Sequence, residues 1–553
     1  MDNYAIAEQF SLLARLMDIH GENSFKSKSY ASAAFALEKM EVEVSTLAPA
    51  AIAGIRGIGS STGAKVQELL QTGRLAALDE LVARTPEGVL EMMNIKGLGP
   101  KKIYTLWKEE GIDTIAELKQ ACQEHRIAAI KGFGDKTEQK ILEAIHFHQK
   151  NAGVYLYAQV ESFALAFAEK LRLASPGAIV EPTGDFRRQC EVVDCLEWVS
   201  TAPAAAAKAF FVNEALPLVS ESDTLLESAT ADGLPLRLHL CADSDFGTVL
   251  FRTTGSGEFL AAWEQAGHAT TGADEQRLFA DAGMAFIPPY LREAGSVLEK
   301  AKQHIPFEVI QESDIRGIIH AHSNWSDGAH TLEEMAQDLM RRGYEYLVIS
   351  DHSKAAFYAN GLDEARIRQQ HALIDELNAK YAPFKIYKSI ECDILADGAM
   401  DYTDNILASF DLVIASIHSN LDMPEEKAMM RLMGAVHNPY VRIMGHLTGR
   451  LLARRKGYPV DHRAVIDACA ANGTVIEINA SPHRLDMDWR YIDYALEKGL
   501  LLSINPDAHS FEDLESLKYG VKVAQKGGLT KTRNLSSFSR VEFEAFLKKG
   551  KNP

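Results

Sequence analysis

Cysteine is scarce in this 553-residue chain: six residues, at 122, 190, 195, 241, 392 and 469, with no Cys-x-x-Cys pair. That pattern argues against a disulfide framework and points to a reducing, cytoplasmic setting. Long apolar runs are missing too: no stretch reaches 18 apolar residues, so no membrane span is expected. The opening Met1-Asp-Asn-Tyr-Ala lacks the basic-then-apolar order of a secretory signal. Positive charge is in deficit, with a formal net charge of −18. A nucleic-acid partner looks disfavoured until the charge is divided along the chain. Most of the acidic excess lies in residues 151–310, and the flanking regions are nearer balance. The length leaves room for three or four domains.

Residues 1–50 read as helical, with Ile6, Phe10, Leu13, Leu16 and Met17 at helical spacing. A short motif then occurs three times: Ile55-Arg-Gly57-Ile-Gly59, Ile95-Lys-Gly97-Leu-Gly99 and Ile130-Lys-Gly132-Phe-Gly134. Each copy lies between helical segments, which is the pattern of a helix-hairpin-helix. Its glycines let the backbone turn tightly and bring N–H groups at a helix start against a phosphate oxygen. One copy could simply close a turn. Three copies with Lys65, Lys96, Lys101, Lys102, Lys131 and Lys136 nearby predict DNA binding over 51–150 through sequence-independent backbone contacts. Residues 151–310 are alanine-rich and acidic, with mixed strand and helix signals.

From about residue 311 apolar runs alternate with helical segments, the signature of stacked βα units and a parallel barrel. Most runs end in a potential metal ligand. Ile318-Ile leads to His320 and His322, with Asp327 beyond; Tyr346-Leu-Val-Ile leads to His352; Ile386-Tyr-Lys-Ser-Ile leads to Glu391. Later runs lead to His418, His446, Asn479, and finally Asp507 and His509. Strand periodicity of two would place His320 and His322 on one face. Any single histidine of this kind is ordinarily structural. Nine candidates at strand ends, where barrel active sites gather, are not. Imidazole and carboxylate without thiolate suit Zn²⁺, Mn²⁺ or Fe²⁺, and nine donors exceed one tetrahedral ion, so two or three divalent metals are expected. Such a cluster suits phosphoester hydrolysis. Arg450, in Leu447-Thr-Gly-Arg-Leu-Leu-Ala-Arg-Arg-Lys, and Arg484 are the basic residues expected to hold phosphate oxygens.

These motifs (HAHSNWSDG, ISDH, SIH, GH and DAH) resemble a PHP (polymerase and histidinol phosphatase) domain. Together with the hairpin repeats and the RR-x-x-E stretch at 187–191, the chain resembles a bacterial family X DNA polymerase over nearly its whole length. The resemblance implies a multidomain α+β and α/β fold. An N-terminal helical part (1–50) and helical helix-hairpin-helix modules (51–150) precede a nucleotidyltransferase-like α+β domain (151–310) and a distorted (β/α)7 PHP barrel (311–553). It assigns His320, His322, Glu391 and Asp507 to one metal, Glu391, His418 and His446 to a second, and Asp327, His352 and His509 to a third. It also implies 3′–5′ exonuclease chemistry in DNA repair, in which water activated beside Glu391 attacks the terminal phosphate while Arg450 or Arg484 holds its oxygens.

The middle domain departs from the family pattern. Counted without gaps from Arg187, Arg188 and Glu191, the family's Asp-x-Asp falls on Cys195 and Glu197, and its third Asp on Arg237. Two Mg²⁺ ions need several hard carboxylate oxygens, so loss of polymerase activity is expected. Lys65 occupies the position of the family's Schiff-base lysine, although a phosphate-contacting role fits it better. Three rival readings stay open: a working polymerase, a small-molecule phosphatase of the histidinol-phosphate kind, and a non-catalytic DNA scaffold. Oligomeric state is not legible.

Overall fold

Apolar residues at helical spacing build the N-terminal part. The computed structural model describes residues 1–549 apart from 2, 39, 41, 273 and 305, and the chain divides into two compact units that meet at residues 152 and 153. In the first, helices Asn3–Ile19 and Ser24–Glu38 pack on each other. Their Ile6, Phe10, Leu13 and Leu37 join one core with Val66, Leu69, Ile95, Ile103, Leu106, Ile141 and Ile145. Residues on both sides of position 50 thus share a single apolar cluster.

The three hairpins are built alike. Gly57, Gly97 and Gly132 have φ of +94°, +91° and +94°, a left-handed conformation that a Cβ would strain. The same turn hydrogen bond closes each: Ile58 N–H to Ile55 O (2.9 Å), Leu98 N–H to Ile95 O (3.1 Å) and Phe133 N–H to Ile130 O (3.1 Å). A helix begins directly after each turn, at Ser60, Pro100 and Asp135.

The second unit opens with a five-stranded sheet of β1 (Val180–Thr183), β2 (Leu196–Ser200), β3 (Leu218–Glu221), β4 (Leu225–Ala229) and β5 (Pro235–Leu240). Its order is β1-β2-β5-β4-β3, antiparallel except for the β2/β5 pair. Phe167 stacks on Trp198 (ring centroids 4.0 Å apart) at the centre of its core.

Seven parallel strands follow in sequential order: β6 (Gly317–Ala321), β7 (Tyr346–Ile349), β8 (Lys385–Asp393), β9 (Leu412–Ser416), β10 (Val441–Met444), β11 (Val475–Asn479) and β12 (Leu502–Asn505). The sheet nearly closes on itself, for Ala321 bridges Ala508 in parallel and His322 N–H donates to Ala508 O (2.8 Å). This is a (β/α)7-type barrel. Side chains of alternating parity face either the helices or the interior. Ile319, Val348, Ile414, Ile443 and Val475 fill the interior with Leu535 and Phe543, and Phe543 stacks on Tyr346 (4.7 Å). Above this apolar layer the buried polar side chains of Ser350, Ser389, Ser416, Glu477 and Asn505 begin.

Candidate metal centre

All nine predicted donors converge at the C-terminal mouth of the barrel. The approach of His320 to His322 does not come from strand periodicity, however. The β6/β7 register shifts between Ile319 and Ala321, and His320 sits in this bulge with φ +65°. His322 already lies beyond the strand end. The bulge re-aims the His320 side chain inward, a common device next to active sites, and leaves the two rings 5.4 Å apart. Asp507 is also left-handed, at φ +53°. Two donors of one group thus hold conformations that only a constraining surrounding maintains. Gly445 leaves room beside His320, since a Cβ there would lie 2.4 Å from Ser416 Oγ and 3.6 Å from the His320 ring.

Glu391 is the hub. Its Oε1 lies 3.0 Å from His446 Nε2, 3.2 Å from His418 Nε2 and 3.4 Å from His320 Nε2. Its Oε2 lies 3.0 Å from His352 Nδ1 and 3.7 Å from His322 Nε2. Asp507 Oδ1 is 3.1 Å from His322 Nε2 and 3.4 Å from His320 Nε2. Asp327 Oδ1 faces His509 Nε2 (3.5 Å) and His352 Nε2 (3.7 Å). Three groups are close enough to share an ion: His320, His322, Glu391 and Asp507; His322, Asp327, His352 and His509; and His352, Glu391 and His418. His446 adjoins the last through Glu391.

The donors fit divalent cations on a physical ground. His320 Nε2, His322 Nδ1, His352 Nδ1, Asp327 Oδ1 and both Glu391 oxygens are buried with no hydrogen-bond partner. Buried polar atoms are ordinarily satisfied, and six orphans converging on one space are what a cation would satisfy. In the metal-free cluster the protons redistribute. Burial disfavours a charged His320, but Glu477, Asp507 and Glu391 outweigh it and hold its pKa well above the imidazole range. His418 is pushed up to about 10: burial lowers it, and Glu391 and Asp393 overcome that. His322 is held well below its usual value by burial and by neighbouring His509 and His352. Burial would raise the Glu391 carboxyl, yet His418, His320 and His352 keep it well below the carboxylate range.

Sequence reasoning missed the residues that aim the donors. Glu477, fully buried on β11, accepts from His320 Nδ1 (2.6 Å), the backbone N–H of His446 (3.0 Å), Asn479 Nδ2 (3.0 Å) and Asn505 Nδ2 (2.8 Å). With Nδ1 donating to Glu477, the Nε2 lone pair of His320 points into the cluster. Asp393 does the same for His418, at 3.2 Å from its Nδ1. A lone carboxylate inside the apolar run Val475-Ile-Glu-Ile was the available signal.

The two arginines part company. Arg450 does not face substrate space: its Nε donates to Arg484 O (2.9 Å), its Nη1 to Asp488 Oδ2 (2.7 Å) and its Nη2 to Leu485 O. With every side-chain nitrogen engaged, it braces the 484–488 loop. Arg484 rides on that loop, with its Nε 3.8 Å from Asp507 Oδ2.

In the middle domain, Glu197 and Arg237 are register partners across β2 and β5, and Cys195 lies just before β2. Glu197 accepts from His239 (2.9 Å), and Arg237 pairs with Glu227 (3.0 Å). Among the described residues, every group of side chains placed to hold a metal ion lies in the barrel. Arg187 makes a two-pronged pair with buried Glu275 (2.9 and 2.7 Å), and Arg188 pairs with Asp185 and Glu293. Glu293 in turn takes the buried Lys526 of the barrel (2.6 Å), and Glu191 takes Arg490 (3.0 Å) and Trp489 (2.9 Å). The arginines and glutamate of that stretch are spent on packing and on joining the domain to the barrel.

In the hairpins, Gly59 and Gly99 precede their helices in extended conformation, and Gly134 does so at φ +73°. Added Cβ atoms at Gly59, Gly97, Gly99, Gly132 and Gly134 would meet nothing within 4 Å. These turns therefore present bare backbone. Lys101 is exposed on the helix after the second turn, Lys102 Nζ donates to Gly97 O (3.0 Å), and Lys65 Nζ is paired with Glu68 (2.7 Å).

A parallel barrel whose mouth gathers His, Asp and Glu donors, preceded by hairpin repeats, defines a hydrolase-type protein with nucleic-acid-type modules. Comparison with known proteins agrees. Residues 1–75 match a helix-hairpin-helix domain and residues 89–146 a SAM-like helix-hairpin-helix tandem. The chain is 35% identical over 563 aligned positions to the DNA polymerase/3'-5' exonuclease PolX of Bacillus subtilis, covering 97% of this chain and 98% of that protein. A probable phosphatase of a Thermoanaerobacter species is 27% identical over 38% of this chain and 86% of its own length. The DNA polymerase lambda of Rattus norvegicus is 27% identical over 35% of this chain and 31% of its own. The chain belongs to the bacterial family X DNA polymerases that carry a C-terminal PHP domain. No described helix is long and apolar enough to cross a membrane.

Proposed function

We propose that this protein is a metal-dependent DNA phosphodiesterase, a 3′–5′ exonuclease acting in repair, whose middle domain no longer polymerises. The observation that carries it is the set of orphaned, buried donor atoms around Glu391, set against a middle sheet that offers Cys195, Glu197 and Arg237 in place of a carboxylate cluster. Mn²⁺ or Zn²⁺, with Fe²⁺ as a further candidate, suits the donors. His320, His322, Glu391 and Asp507 would hold one ion, Glu391 with His418 and His446 a second, and Asp327, His352 and His509 a third. Bound there, divalent ions lower the pKa of water and neutralise charge on a phosphoryl group. The chain's own residues do the rest. Glu477 and Asp393 fix the tautomers of His320 and His418, and Glu391 places its two oxygens between the groups. Arg484, on the loop that Arg450 braces, donates to the non-bridging phosphate oxygens. The hairpin backbones and their lysines supply affinity for DNA without reading its sequence.

The relative's name as a 3'-5' exonuclease supports this reading. The test is a 5′-labelled duplex with a recessed 3′ end, incubated with protein and Mn²⁺, with and without nucleotides, beside His320→Ala and Glu391→Ala. A ladder of shortened products that vanishes in both variants is expected. Lengthened products would overturn the loss of polymerase activity, and an unchanged substrate would overturn the nuclease.

A further inference from the structure

Phe357 and Tyr358 stand out because they should not be where they are. Their side chains are 85% and 64% exposed, yet the turn carrying them is pinned on all sides. Leu362 N–H donates to His352 O (2.8 Å), Ala356 N–H to Ser353 O (3.0 Å) and Gly361 N–H to Ala356 O (3.2 Å). Gly361 admits no side chain, since a Cβ would lie 1.9 Å from Ser353 O. Asn360 Nδ2 donates to Trp325 O (3.2 Å) and Ser326 O (3.3 Å), and Arg366 ties Asn360 O (2.7 Å) and Trp325 O to the following helix. The turn is therefore fastened at one end to the donor His352 and along its side to the segment that delivers Asp327. Tyr358 also lies within electrostatic reach of Asp393, Glu391, Asp327 and Arg484. Tyr358 is thus held at the rim of the cluster, with the ring of Phe357 edge-on to it (5.9 Å, 77°) and neither filling a core.

We propose that Tyr358, buttressed edge-on by Phe357 (ring centroids 5.9 Å and planes 77° apart), offers a stacking face for the terminal nucleobase of a DNA strand whose last phosphodiester lies at the cluster. This rests on the reading of the barrel as a DNA phosphodiesterase. A base has a π-face whatever its identity, so aromatic stacking positions a strand end without sequence preference. A rigid turn contributes more than a mobile one, because the ordering cost is met before binding. Arg484 and the donors address the phosphate, which leaves the base to an exposed aromatic face such as that of Tyr358.

The test uses the full-length protein and a single-stranded oligonucleotide with 2-aminopurine at its 3′ terminus and a phosphorothioate as its last linkage, in Mn²⁺. Wild type and Tyr358→Phe should quench the fluorescence; Phe357→Ala and Tyr358→Ala should lose most of the quenching. On a natural 3′ end the alanine variants should raise KM about fivefold or more, the lower range for one base–aromatic stack. On an oligonucleotide ending in a base-less residue KM should not move. No quenching by wild type, quenching by Tyr358→Ala as strong as by wild type, or equal KM increases on both ends would overturn the platform. Because quenching is read without turnover, quenching with no shortened product sinks the exonuclease reading alone. Shortening with unaltered quenching sinks the platform alone.

Discussion

Glu477 Oε2 lies 2.6 Å from His320 Nδ1, and both side chains are fully buried. This contact decides which imidazole nitrogen meets the cluster. The other Glu477 oxygen accepts from the His446 backbone and from Asn479, so one carboxylate orients donors from two strand ends.

Replacing it with glutamine keeps the volume and removes the charge. Loss of such an outer partner typically costs about 10- to 100-fold in metal affinity or activity. Glu477→Gln should therefore bind Mn²⁺ about 10-fold or more weakly by calorimetry and recover part of its nuclease rate at high Mn²⁺. An unchanged affinity would show that Glu477 is only a packing residue.

The metal-free cluster predicts a pH dependence of stability. His418, raised to about 10 in the folded protein, has an unfolded value near the ordinary imidazole of about 6.5. A raised group stabilises fully below its unfolded pKa and loses that contribution as pH climbs through its folded one. In EDTA, Tm should fall as pH rises from about 6.5 towards 10. Divalent metal competes with these protons, so Mn²⁺ should increase Tm most at the alkaline end. Scanning calorimetry across that range, with and without Mn²⁺, checks both slopes; a flat curve in EDTA would refute the protonated cluster.

Much of this arrangement was legible in the sequence, for stated reasons. Runs such as Ile318-Ile and Leu412-Val-Ile-Ala are apolar on both faces because the barrel buries both, and ligands at their ends must converge. The bulge at His320 was not legible, since it depends on how β7 pairs. Arg450 was misread for a similar reason: its partners Arg484, Leu485 and Asp488 lie more than thirty residues downstream, and a basic run shows nothing of them.

The hairpins make a separate prediction. Gly97 and Gly132, at φ +91° and +94°, have open space around an added Cβ, so alanine there strains the backbone without a clash, by about 1–2 kcal/mol. Gly97→Ala/Gly132→Ala should weaken binding to duplex DNA at least several-fold and flatten the dependence of log affinity on log salt, because fewer phosphates are engaged. Fluorescence anisotropy at three or four salt concentrations measures both. Wild-type affinity with an unchanged slope would remove these turns from the DNA interface.

The last prediction separates the two arginines. Arg484 pairs with Asp507, its Nε 3.8 Å from that carboxylate, which sets its guanidinium beside the donors, so Arg484→Ala should lose about 10- to 100-fold in kcat/KM while Tm stays near wild type. Arg450 instead spends its nitrogens on Arg484 O, Leu485 O and Asp488. Arg450→Ala leaves those acceptors unsatisfied, at about 1–3 kcal/mol for each one that stays buried. It should lower the stability of the protein measurably in urea, and it should lower activity only through the displaced loop. Arg450→Lys restores one charge but not the fork, and should recover little of either. If Arg450→Ala instead leaves stability intact while abolishing turnover, then Arg450 reaches the phosphate after all and the assignment of the two residues must be exchanged.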